Sequence, residues 1–174
     1  LAVIPRERFL PPGPWHLARL SGGYTPTPDD DPVYLYQDVP VAIRPERHLN
    51  NGQPSFLAGL IARGRPERGM TAVHVGTGAG YYTALLARLV GEAGHVLGIE
   101  HDPDLAAFAV DALAGLPQVR IVAGDGAAMP LPPADLVLVN AGAARPAESW
   151  LDALTVGGRL ILPLTAGPLP GTPI

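Results

Sequence analysis

Gly76, Gly78 and Gly80 are spaced two apart in the run AVHVGTGAGYYT, Ala72 to Thr83. A buried strand that runs into a glycine turn and then a helix is how open α/β sheets start a nucleotide-type cofactor site. The dinucleotide fingerprint G-x-G-x-x-G would place its third glycine at position 81, which is Tyr81, so the spacing favours S-adenosylmethionine (SAM) over NAD. Twenty positions after Gly80, a second apolar stretch, His95 to Ile99, ends in Glu100. A carboxylate at that point can accept both hydroxyl hydrogens of a ribose diol with its two oxygens. Asp125 and Gly126 follow a third apolar stretch. There the aspartate can accept from an adenine amino group, and the glycine is expected to leave room for the ring. His101 and Asp102 flank the adenine or form an exposed turn. The glycines let the backbone pass close to the amino acid part of SAM, with Thr77 adding a hydroxyl. Asn140 to Ala143 close a fourth apolar stretch and face the same crevice with mostly small side chains.

These residues need a scaffold, and the apolar pattern supplies one. Strands are expected near residues 72–75, 95–99, 119–122, 135–139 and 159–164. Helices are expected over 81–90, 103–114 and 147–154. The strands are short, rich in Val, Ile and Leu and apolar on both faces, as parallel strands covered by helices must be. Right-handed crossovers give the order 3-2-1-4-5, with the crevice at the carboxyl ends of strands one and four. The fold class is α/β: a Rossmann-like, doubly wound, mostly parallel sheet with an N-terminal substrate-side extension. The composition shifts near Gly69, dividing an N-terminal arm and substrate-side segment (1–69) from the SAM-binding core (70–174). Prolines, glycines and the run Asp29-Asp30-Asp31 make Pro11 to Pro32 a surface loop or ordered arm. After the fifth strand the sequence TAGPLPGTPI cannot complete a sheet, so further strands are expected past Ile174, and further residues before Leu1.

At 174 residues and 47% hydrophobic, the chain can bury a full single-domain core, hiding roughly two thirds or more of its unfolded surface. The net charge of -4 and the scattered arginines disfavour nucleic acid as a partner. No run of about 18 apolar residues is present to span a membrane. The absence of cysteine removes disulfides, thiolate metal sites and a cysteine nucleophile, and fits a reducing cytoplasm. The five histidines, at 16, 48, 74, 95 and 101, lack ligand spacing, so no metal is expected.

Several segments taken in order resemble one family. IPRERFLP, LYQDVPVAI, the Gln53-Pro54 pair, VGTGAGYYTALLARLVG, IEHDPDLAAFA, GDG at 124 to 126 and LTVGGRLILPL together are similar to protein-L-isoaspartate O-methyltransferases, collinearly from Ile4 to Leu164. The resemblance implies SAM-dependent transfer of a methyl group to the free carboxylate of an isoaspartyl residue in a damaged protein or peptide. Two departures stand out. Where that family has a Thr-x-Ser segment before its Gln-Pro pair, this chain has Asn50 and Gly52, and where the family has an acid two positions before the first glycine, it has His74. His74 is read as a strand-end structural histidine.

A carboxylate acceptor is already ionised at neutral pH and needs no general base, so alignment in line with the methyl carbon carries the reaction. The segment Asn50, Asn51, Gly52 and Gln53 is therefore expected to face the substrate, with amide hydrogens and the Gly52 N–H available to a carboxylate. The competing reading makes it only the cap of a helix over 55–62. His48 is a further candidate near the substrate, whereas Tyr81, Tyr82, Trp15 and Trp150 are read mainly as packing residues. The acceptor is expected to be an exposed carboxylate of a protein or peptide. A small-molecule O-methyltransferase and a catalytically silent SAM-binding module remain the alternatives.

Overall fold

The five apolar runs all enter one parallel sheet in the computed structural model, which describes residues 4–164. They are β1 (Thr71–Val75), β2 (His95–Glu100), β3 (Val119–Ala123), β4 (Ala134–Val139) and β5 (Leu154–Ile161). Their order is β3-β2-β1-β4-β5, as the crossover rule requires. Every neighbouring pair is parallel, with Val75 opposite Ile99 on one side and Val139 on the other. The strand order therefore reverses at β1, and the crevice opens where β1 and β4 end.

Helices α1 (Pro54–Arg63), α2 (Tyr81–Val90), α3 (Pro103–Leu113) and α4 (Glu148–Asp152) cover the sheet. α3 starts where it does because Asp102 accepts from the N–H groups of Asp104 and Leu105, and Pro103 fits the first turn. α2 starts directly from the glycine turn at Gly80 and stops at Gly91. On one face of the sheet, Leu86, Val90 and Ala109 of the helices pack on Ala72, Val96, Leu136 and Leu138. On the other, Val73, Val75, Ile99, Val137 and Val139 pack with Trp150. Both faces are apolar because both are covered.

The last two elements differ from the sequence expectation. α4 spans 148–152 rather than 147–154, and β5 begins at Leu154 rather than Arg159. Leu154 pairs with Ala134 while Arg159 pairs with Leu136, so β5 carries extra residues against β4. Gly157 takes φ +83, and a Cβ at Gly158 would lie 2.9 Å from the Thr155 carbonyl oxygen. The glycine pair absorbs this irregularity, which apolar periodicity does not reveal. The expectation for TAGPLPGTPI falls on residues 165–174, outside the described residues.

The segment read as a surface arm contains an antiparallel pair, His16–Ala18 with Tyr24–Pro26. A second pair, Ala42–Arg44 with Leu49–Asn50, leads to α1. Leu10, Trp15, Leu35 and Val41 form a small core of their own, while Ile4, Phe9 and Ile61 join the main one. Arg6, buried among them, donates to the carbonyls of Leu35, Gln37 and Val39 and to Asn51 Oδ1, and its guanidinium lies 5.9 Å from the Tyr81 ring centre. One side chain thus supplies donors to the end of a short 3-10 helix, Pro32–Tyr36, and to the irregular backbone that follows it. Replacing Arg6 with Ala leaves those acceptors without their donor and is expected to cost on the order of 3 kcal/mol in urea unfolding. Limited proteolysis is expected to locate the loosening at residues 35–51.

Candidate active site

The glycine turn is fastened to β2 before any ligand is considered. Gly76 and Thr77 N–H both donate to the Ile99 carbonyl, at 2.9 and 3.1 Å. Gly78 N–H donates to Glu100 Oε2 at 2.6 Å, and Asp102 N–H donates to Oε1 at 3.0 Å. Glu100 is 9% exposed, and each oxygen keeps lone-pair capacity for one hydroxyl. A Cβ on Gly76 would sit 3.1 Å from the Asn140 carbonyl carbon and Ala141 nitrogen, so the turn closes against the end of β4. Gly78, at φ +56, has nothing but the tip of Ile43 within 4 Å of such a Cβ. This is the glycine that leaves the backbone open to a ligand.

Three of the expected residues border the cavities and also make close contacts within the protein. The Thr77 hydroxyl donates to the His74 carbonyl at 3.2 Å and lies beneath the turn, where a Cβ on Gly98 would meet it at 2.7 Å. Gly80 has no side chain because Leu113 and Ala109 of α3 fill that space. At Gly126, which also borders the larger cavity, an added Cβ would lie 2.6 Å from Val75 Cγ1. The Gly126 carbonyl accepts from Trp150 Nε1 at 2.7 Å, so Trp150 holds the turn that presents Asp125. Asp125 Oδ1 accepts from Ala127 N–H at 2.9 Å.

Two cavities meet at this turn. The larger, about 1200 Å³, runs along the ends of β1, β2 and β3 past Gly76, Glu100, His101, Asp125, Gly126 and Trp150. The smaller, about 500 Å³, lies between the glycine turn, Asn140 and the segment Asn50 to Gly52, with Tyr82 and Phe56 in its wall. Gly76, Glu100, Ala141 and Gly142 border both. An elongated nucleoside ligand fits this shape: base and ribose in the larger space, with its reactive end toward the smaller. Among the described residues no three His, Asp or Glu side chains converge as metal ligands, and no helix is long and apolar enough to cross a membrane.

The segment expected to face the substrate divides. Asn50, Asn51 and Gly52 border the smaller cavity, whereas Gln53 and His48 do not. Asn50 Oδ1 accepts the Gly52 N–H at 2.9 Å, so that N–H is already engaged, and Asn50 Nδ2 donates to the Tyr24 hydroxyl at 3.2 Å. Asn51 Oδ1 accepts from Val41 N–H at 2.9 Å, leaving its buried Nδ2 without a protein partner. Gln53 Nε2 donates to Asp38, which also accepts from the Ser55 N–H and hydroxyl at 2.8 and 2.6 Å. Asp38 therefore caps α1 from a distant loop, and Gln53 makes no cap bond with its own side chain. The donors from Ser55 and Gln53 hold the Asp38 carboxyl below its usual range. Asp102 is farther from the segment in sequence, and its Oδ2 takes Arg44 at 2.9 Å and Arg47 at 2.6 Å. Sequence reading missed Asp38, Arg44 and Arg47 because no spacing rule connects residues paired across fifteen to sixty positions.

His74 is fully buried, one turn beneath the glycines. Nδ1 lies 2.8 Å from Thr83 Oγ1 and Nε2 lies 3.0 Å from Asn140 Nδ2. Burial without a charged partner lowers its pKa from 6.5 to about 4.

The family model of protein-L-isoaspartate(D-aspartate) O-methyltransferase matches residues 23–168. The chain belongs to the protein-L-isoaspartate O-methyltransferase family. Members of this family are SAM-dependent enzymes, and the cleft described above has the parts such a cofactor requires. A protein-L-isoaspartate O-methyltransferase from Ignicoccus hospitalis is 33% identical over 169 residues, 95% of this chain and 71% of that protein. One from Thermotoga maritima is 31% identical over 168 residues, 92% of this chain and 48% of that protein. A solved protein-L-isoaspartate O-methyltransferase superposes with a TM-score of 0.76 at 29% identity, over 92% of this chain and 48% of the other. The chain thus spans from about half to about seven tenths of the length of these relatives.

The buried histidine makes a prediction for stability in acid. Its folded pKa is depressed, so below pH 6.5 the unfolded chain gains a proton that the folded chain refuses until about pH 4. Stability contributed by neutral His74 is complete above pH 6.5 and is lost as the pH falls toward about 4. Going from about pH 7 to about pH 5 is expected to cost about 2 kcal/mol through this residue alone. Urea midpoints of His74→Gln are expected to show a correspondingly shallower acid dependence than the parent protein.

Proposed function

We propose that this chain takes part in SAM-dependent methyl transfer to a side-chain carboxylate of a protein or peptide, with an isoaspartyl residue as the acceptor. The observation that carries the reading is the meeting of the two cavities at Gly76 and Glu100, with Asn50 to Gly52 across the smaller one. Residues 70–174 hold the donor and residues 1–69 supply the acceptor side. A cytoplasmic site of action belongs to the same proposal and rests on the cysteine-free sequence.

The bound cofactor supplies a methyl group made electrophilic by its sulfonium. Glu100 receives the ribose hydroxyls while its other lone pairs keep Gly78 and Asp102 in place. Asp125 faces the base. Gly78 brings main chain to the amino acid end. On the acceptor side Asn50 and Asn51 border the smaller cavity; the Asn50 amide, which gives one hydrogen to Tyr24, keeps the other for a carboxylate oxygen, while Asn51 Nδ2 is buried without a protein partner. Neither group moves a proton. Tyr82 borders the same cavity, but burial raises its pKa, so its hydroxyl stays protonated. His74 is shut beneath the turn. An acceptor that arrives ionised suits these surroundings, since attack and sulfonium cancel each other's charge in a site with little water. A hydroxyl acceptor, the small-molecule reading, would need a base, and Glu100, the carboxylate that borders the smaller cavity, is already engaged by the N–H groups of Gly78 and Asp102.

Transfer of labelled methyl from SAM to matched peptides is the test, scored as base-labile ester. Ester on the isoaspartyl peptide and none on its aspartyl twin is the expected result. Intact SAM binding with no transfer to either would sink the acceptor assignment and leave a silent SAM-binding module as the better reading. Glu100→Ala, which also releases Gly78 and Asp102, is expected to weaken SAM binding by at least about tenfold in calorimetric titration.

A further inference from the structure

His74 is conspicuous for what its two ring nitrogens touch. It stands in β1 at a position where the resembled family has an acid, and it links Thr83 of α2 to Asn140 at the end of β4. The Asn140 amide nitrogen faces Nε2. That nitrogen must then accept, which leaves the ring proton on Nδ1 and directs it to the Thr83 hydroxyl oxygen. With Nδ2 so engaged, the carboxamide of Asn140 has one orientation. Its Oδ1 has no protein partner among the described residues, and it is not one of the buried unsatisfied atoms. Asn140 borders the smaller cavity, so this oxygen opens toward the cleft.

The chemistry of the donor says which part of it lies there. In SAM the sulfur joins the ribose to the amino acid chain. Glu100 takes the ribose, and the turn at Gly76 and Gly78 takes the amino acid, so the sulfur falls between them. Gly76 is the residue packed against the Asn140 backbone. We propose that His74 is a positioning residue, which as its Nδ1–H tautomer turns the Asn140 carboxamide oxygen toward the sulfonium and so makes the site prefer charged donor to neutral demethylated product. The inference rests on the cofactor reading above. A neutral carboxamide dipole facing a cation favours the donor through partial charges, without placing a formal charge next to the incoming carboxylate.

Equilibrium binding of SAM and S-adenosylhomocysteine tests this without turnover. The ratio of the two affinities is expected to fall by about fivefold in Asn140→Ala and by a similar factor in His74→Phe. In the double variant the fall should match that of Asn140→Ala alone, because His74 acts only through Asn140. Nitrogen-15 NMR of histidine-labelled protein at neutral pH should show the Nδ1–H tautomer for the one buried ring. That measurement and Asn140→Ala remain decisive if His74→Phe fails to fold. An Nε2–H tautomer would overturn the proposal, since Asn140 would then present its amide hydrogens to the cleft. So would an affinity ratio unchanged in Asn140→Ala, or a full additional loss from His74→Phe in its background. Failure of the parent protein to bind either ligand would overturn the cofactor reading and this inference with it, a result distinct from binding both with an insensitive ratio.

Discussion

The carboxylate of Glu100 is the constraint on which the site depends. It accepts from Gly78 on one oxygen and from Asp102 on the other, so it fixes both the crest of the glycine turn and the start of α3. A turn of three positive-φ glycines has little conformational preference of its own. Its shape comes from this clasp, from the Ile99 carbonyl that takes two further N–H groups, and from the backbone of β4 pressed against Gly76. Parallel pairing of β1 with both β2 and β4 brings all three together. The crevice is therefore a property of the sheet's centre.

The core was legible because its rules are local or nearly so. Short runs rich in Val, Ile and Leu marked β1 to β4, and the α2 bounds, Tyr81 to Val90, coincide with the expected 81–90. The donor-side residues Gly76, Gly78, Glu100 and Asp125 could be proposed from spacing because the strand-turn-helix unit converts spacing into position. β5 was legible in kind but not in extent, since its start depends on how the Gly157-Gly158 pair lets extra residues bulge against β4. Glycine roles were harder still. Whether a missing side chain leaves open space, as at Gly78, or meets a neighbouring helix or strand, as at Gly80 and Gly126, is decided by atoms that arrive from elsewhere in the chain.

The acceptor side resists sequence reading for the same reason, more severely. Residues 35–53 hold little regular structure, and what shapes them is a set of long-range contacts: Arg6 to three carbonyls, Asp38 to Ser55 and Gln53, Asn51 to Val41, Asp102 to Arg44 and Arg47. Each uses a charged or amide group to satisfy donors or acceptors that sheet and helix ladders leave open. The Asn50 to Gln53 run illustrates this. Asn50 and Asn51 border the cavity while Gln53 does not, and the positions of Asp38, Tyr24 and Arg6 distinguish them.

Asp102 gives the arrangement a thermodynamic meaning beyond architecture. One of its oxygens caps α3, the other holds Arg44 and Arg47 of the N-terminal segment, and its own N–H ends on Glu100. The two halves of the cleft are thus linked functions of one residue's position. Any free energy by which an occupied donor side tightens this residue must reappear, equal in size, as improved binding on the acceptor side. The link runs through ion pairs with Arg47 more than half exposed, so dissolved salt acts on it directly. Ionic strength is therefore a variable of communication between the two sides of the cleft, separate from its effect on either one alone.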